Sequence, residues 1–175
     1  MNRKLFMVLC AFSILVGCSK EEREAYKQHE EEVKRLESSP EAAEEDFIKV
    51  SNEIINEVVS KFIDAKTEIE TELTETNGSN EVVDLIALLY VSIQHNNFII
   101  SENYLNESQK EQYKLSREKL DAALDLTDET YDKIIEYTDD RDPEKGKAAI
   151  ILIDSVQRQM LDAEKQLEED TRKGE

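Results

Sequence analysis

The stretch PEAAEEDFIKVSNEIINEVVSKFIDAKTEIETELTET, residues 40–76, decides the fold class. Ile48, Ile55, Val59, Phe62, Ile69 and Leu73 recur along it at the roughly 3.5-residue spacing of a helix seam, with Asn52 and Lys66 in the two skipped positions. Phe47, Ile54, Val58 and Ile63 widen the stripe in its first half, the width a core-facing helix needs. Ser39 before Pro40 and Glu41 makes a helix start, with a capping hydroxyl, a proline at the first helical position and an acid in the first turn. Asn77-Gly78-Ser79 predicts its end, because glycine adopts the left-handed conformation common after a helix.

The same pattern continues towards the C-terminus. From Ser79 or Asn80 to about Asn106 the chain predicts a second helix, so apolar between Val82 and Ile93 that it is central and buried, and extended by Phe98, Ile99, Ile100, Tyr104 and Leu105. Asp84 and the shortness of that run argue against a membrane span. Residues 107–140 hold one 3-4 spacing through Tyr113, Leu120, Leu124, Thr127, Tyr131 and Ile134, and so predict one long helix, with a kink allowed. Thr127-Asp128-Glu129 is the competing cue within it, a cap followed by acids. Asp142-Pro143-Glu144 opens the last helix, whose inner face would carry Ala149, Leu152, Val156, Met160, Ala163 and Leu167; residues 168–175 are expected to fray. No alternating run bounded by turns predicts a strand. The expected fold is all-α, a mostly antiparallel bundle of about four long helices over residues 40–175.

The N-terminus carries an address. Arg3 and Lys4 precede an uncharged run from Leu5 to Gly17, too short for a spanning helix, which needs about 20 apolar residues, but of the length of a leader-peptide core. It ends in Leu15-Val16-Gly17-Cys18, followed at once by Ser19, Lys20, Glu21 and Glu22. In these residues the chain resembles a bacterial lipoprotein precursor. The resemblance implies cleavage between Gly17 and Cys18, a diacylglyceryl group on the Cys18 thiol, and a mature chain beginning at Cys18. Residues 1–17 would then be the leader and 18–39 a lipidated cysteine with a polar spacer. Cys10 leaves with the leader, so Cys18 is the one cysteine of the mature chain and has no partner for an internal disulfide. Two acyl chains suffice for stable anchoring. Ser19 permits transfer to an outer membrane if the source has two membranes. In residues 19–39 Tyr26, His29, Val33 and Leu36 make a narrow stripe, compatible with a spacer helix or a short coiled coil.

Charge narrows the function. The 175 residues carry 22 Lys and Arg against 41 Asp and Glu, a formal charge of -19, which argues against a nucleic-acid binder. An anionic bilayer would repel such a body while the lipid holds it. Catalytic chemistry is thin: there are two histidines and no glycine-rich phosphate loop. His29 lies in the spacer, and His95 lacks a Glu-x-x-His partner, since position 92 is serine. The polar patch Gln94, His95, Asn96 and Asn97 is the one candidate for a buried network or a cavity lining. A calcium loop from Asp140 through Asp142 and Glu144 fails at Lys145, where glycine is required, and at Ile151, where glutamate is required. No cofactor and no metal site is expected.

The resulting expectation is a non-enzymatic helical interaction module, tethered in the bacterial envelope through Cys18. Its partner would be an envelope protein, basic enough to meet the acidic faces, with self-association as a further possibility. Tyr26, Tyr104, Tyr113, Tyr131 and Tyr137 could anchor the contact or fill the core. The alternative is a small-ligand or stress-sensing carrier with a cavity between the helices.

Overall fold

The computed structural model describes residues 20–74, 83–85, 88 and 97–174. Every regular element among them is helical: α1 (Lys20–Ser38), α2 (Pro40–Thr74), α3 (Glu107–Gln112), α4 (Lys114–Asp140) and α5 (Pro143–Gly174), with helical residues also at 97–102. No strand occurs among the described residues, and none of their helices is long and apolar enough to cross a membrane. The chain divides into two compact units at Ser39 and Pro40.

The first unit contains α1, a solvated rod. Its 19 residues span about 28 Å. Side chains from Glu24 to Glu32 are all exposed, including Tyr26 and His29, while Leu36 is buried. Ion pairs one turn apart, Lys34 with Glu30 at 2.8 Å and Arg35 with Glu32 at 2.7 Å, support a helix with little apolar surface.

In the second unit, α2 buries Phe47, Ile54, Ile55, Val58, Phe62, Ala65 and Ile69. Ile48, Val59 and Leu73 lie at the edge of that arc and are half-buried. Ile63, expected inside, is 48% exposed. It sits roughly 140° round the helix from the centre of the buried arc, so a seam residue it is not.

α4 buries Leu120, Ala123, Leu124, Thr127, Thr130, Ile134 and Tyr137 and runs unbroken through Thr127. The Thr127 hydroxyl donates to the Ala123 carbonyl at 2.8 Å, one turn back, so it serves the helix interior and caps nothing. The single long helix expected over residues 107–140 is interrupted instead at Tyr113. The preceding helical residues stop at Glu102, short of the expected Asn106, because Asn106 opens α3. Its side chain accepts from the Gln109 amide at 2.9 Å and its own amide donates to the Gln109 side chain at 3.0 Å, a reciprocal cap. Ile99 and Ile100 are exposed, whereas Phe98 and Leu105 are buried.

α5 places Ala149, Ile153, Val156, Met160, Ala163 and Leu167 in the core at strict 4-3 spacing. Ile153 takes the place expected for Leu152, which is half-buried. The frayed tail is also corrected: the helix continues to Gly174, and Asp170 within it is buried.

Side-chain pairs give the helix directions. α5 packs along α4 and α2. Asp170 meets Ser116 near one end of α4, and Gly146 meets Tyr137 near the other, so α4 and α5 run antiparallel. Lys66 bonds Asp154 at 2.6 Å, and Leu73 approaches Gly146, so α2 and α5 are antiparallel too. Glu44 meets Tyr113 and Glu72 meets Tyr137, which makes α2 and α4 parallel.

Candidate functional site

The expected lipidation residues Gly17 and Cys18, with Leu15 and Val16, lie outside the described residues, as do Gln94, His95 and Asn96. Asn97 is helical and exposed. Of the candidate tyrosine anchors, Tyr113 and Tyr137 are wholly buried and belong to the core; Tyr26 is exposed, and Tyr104 and Tyr131 are half-buried.

Surface clefts lined by the described residues include the following two. One, about 310 Å³, is lined by Lys61, Asp64, Ala65, Thr67, Glu68, Asp84 and Leu88. The other, about 400 Å³, is lined by Glu102, Glu107, Lys110, Glu111, Lys114, Arg117, Glu118 and Asp121. Both are mixed in charge and suit solvated ions or polar chain more than an apolar ligand. No group of three His, Cys, Asp or Glu arranged to hold a metal ion occurs among the described residues.

The densest chemistry gathers at the α3–α4 elbow. Tyr113 joins these helices with φ -93° and ψ 12°, and its ring is buried against Phe47, centroids 5.3 Å apart. Its hydroxyl donates to Glu44 at 2.5 Å. Gln109 donates to the Pro40 carbonyl at 2.8 Å and to Glu44 at 3.3 Å; Gln112 donates to Glu44 at 3.4 Å and to the Asp170 carbonyl at 3.3 Å. Breaking the helix frees backbone groups that need partners. The Ser116 amide donates to the Asp170 carboxylate at 3.3 Å, and the Lys110 carbonyl accepts from Arg117 at 3.2 Å. Asp170 thus caps α4 from another helix, where α4 has no side-chain cap of its own. Burial would push the Asp170 carboxyl up, but bonds from Lys173 at 2.8 Å, Gln166 at 3.1 Å and Ser116 outweigh it and hold the carboxyl below its ordinary range.

A second polar clamp closes the α4–α5 turn. The Tyr137 hydroxyl donates to Glu72 at 2.6 Å, Arg141 pairs with the same carboxylate, and the Arg141 guanidinium lies 5.6 Å from the Tyr137 ring centre. Arg141 is left-handed, with φ 56°, a conformation that costs about 1 kcal/mol outside glycine. Its two side-chain contacts offset that cost. Gly146 admits the Tyr137 ring: a Cβ there would lie 2.9 Å from the ring edge.

Both tyrosines favour the neutral form. Burial, then the Glu44 bond, pushes Tyr113 up to about 12, and burial followed by the Glu72 bond raises Tyr137. A phenol that ionises at higher pH when folded holds its proton longer than in the unfolded chain, so stability falls as pH rises. The Tyr113 contribution is intact below about pH 10 and lost between pH 10 and 12. Denaturant unfolding across that range should show a falling midpoint, flattened in Tyr113→Phe; equal slopes in both proteins would refute the assignment.

Sequence reasoning passed over Glu44, Glu72 and Asp170 because each sits in an acid-rich stretch that resembles solvated surface. The available cue was a tyrosine near each end of one apolar seam, since a buried phenol needs an acceptor. No protein-family model matches the sequence, and neither a curated protein nor a solved structure matches it significantly.

Proposed function

We propose that the protein is a lipid-anchored component of a bacterial cell envelope whose helical body binds a protein partner and performs no catalysis. One observation carries the reading: a charge-free leader core runs directly into Leu15-Val16-Gly17-Cys18, with polar chain immediately after it. Lipid on Cys18 would hold the chain at the membrane, and α1 would act as a stand-off rod of about 28 Å. The body is then an up-down-up-down four-helix bundle. The pair directions of α2, α4 and α5 support this arrangement, as does the segment around Phe98. Phe98 stacks 5.9 Å from Phe47, while Asp84 and Leu88 line a cleft with Lys61 and Glu68, so that segment would run back along α2.

The outer face of α4 supports a basic partner. Glu118, Asp121, Asp125, Asp128, Asp132 and Asp139 are exposed along it at 3-4-3-4-7 spacing. Such a stripe attracts cationic surfaces at long range and loses that attraction as salt rises.

The decisive experiment is Cys18→Ser in the native host, followed by metabolic acyl labelling and membrane fractionation. Loss of label and release from the membrane are expected. Label retained on the variant, or retention at the membrane without it, would end the anchor reading. For the partner, in-envelope crosslinking should give adducts whose yield falls with added salt.

A further inference from the structure

Residues 107–140 contain no glycine and no proline, and their apolar spacing passes through Tyr113 without a break. Sharp helix breaks usually trace to such residues or to a side chain entering the backbone ladder. Here side chains occupy the backbone groups: Arg117 and Ser116 of α4 itself bond the Lys110 and Tyr113 carbonyls, and two acids reach in from other helices. Asp170 of α5 takes the Ser116 amide, which in an unbroken helix would donate to the Gln112 carbonyl. Glu44 of α2 gathers Tyr113, Gln109 and Gln112. The Ser116 amide and the Lys110 carbonyl, which a straight helix would pair with Gln112 and Lys114, therefore have other partners where the helix is interrupted.

We propose that residues 107–140 are a two-state conformational element, bent at Tyr113 while the carboxylates of Glu44 and Asp170 grip it, and a single continuous helix once that grip is lost. In the straight state the α3 arm leaves the first turns of α2, because its hold on Pro40 runs through Gln109. The device includes Pro40, the first residue of α2, and it stands whether or not Cys18 carries lipid.

Spin labels on cysteines replacing the exposed residues Glu41 and Ser108 test the idea, in the full chain with Cys10→Ser and Cys18→Ser. The labelled parent should show one short distance. Adding Glu44→Gln with Asp170→Asn should raise a second, longer-distance population by roughly tenfold or more, the scale expected when several net hydrogen bonds are lost. The Ser116 amide should stay protected from hydrogen exchange, because it then bonds Gln112. An unchanged distance distribution overturns the proposal. So does a broad distribution with fast exchange across 107–116, which is melting and not a second state. If the double substitution abolishes the helical circular dichroism spectrum, Glu44→Gln and Asp170→Asn taken singly decide by the same two readouts.

Discussion

Tyr113→Ala is expected to lower the unfolding free energy by about 4 kcal/mol, the cost of deleting a large buried aromatic. The ring is wholly buried, tilted at 54° against Phe47, and Phe47 in turn packs on Phe98. Its removal empties the place where α2, α4 and the segment around Phe98 converge, and polar atoms rim that place. Glu44 keeps the Gln109 and Gln112 donors but loses its shortest bond. Collapse of neighbours into the space would pull Gln109 from Pro40, so relaxation recovers little. Tyr113→Phe separates the two contributions: it keeps the ring and loses only the hydroxyl bond, for about 1 kcal/mol. Urea unfolding of the two variants gives both numbers. A Tyr113→Ala loss below about 1 kcal/mol would mean that this end of the core is not packed as described.

Gly146→Leu is expected to destabilise by about 3 kcal/mol, against the direction that helix propensity alone predicts. Gly146 is the fourth residue of α5, and replacing glycine by a better helix former contributes at most about 1 kcal/mol of stability. The tertiary contacts reverse the sign. A Cβ at this position meets the Tyr137 ring at 2.9 and 3.1 Å and Leu73 at 3.3 Å. The ring has nowhere to go, since Glu72 holds its hydroxyl and Arg141 lies over its face. Extra carbons force the α4–α5 turn apart, the kind of overpacking that typically costs 1 to about 3 kcal/mol. A thermal melt followed at the helical dichroism band should drop by roughly 10 °C. A rise in melting temperature would show that α4 and α5 do not approach this closely.

These two positions mark where the sequence was legible and where it was not. The seam of α2 could be read because apolar spacing maps directly onto a buried arc, and the error at Ile63 came from widening the arc by one residue too many. Asp142 as the start of α5 was equally plain, and its carboxylate accepts from the Glu144 amide at 2.9 Å. Asp170 was illegible. Its neighbours Glu168, Glu169, Arg172 and Lys173 are exposed, and a carboxylate among them carries no mark of burial. Only the approach of Ser116 from α4 makes it structural. Tyr113 was legible as a core residue but not as a break, because periodicity records which face a residue uses and not whether the backbone stays straight.

Local physics was enough to determine that the described chain is helical, where α2 and α5 begin, and most of the apolar seam of each, since each depends on residues within a turn or two of one another. The tertiary structure alone decided where the stretch 107–140 is interrupted, which acids are buried, and why the first turn of α5 keeps a glycine. The first two depend on atoms brought together across some 55 to 70 positions of sequence, as Ser116 with Asp170 and Tyr113 with Glu44, and no pattern along the chain encodes such meetings.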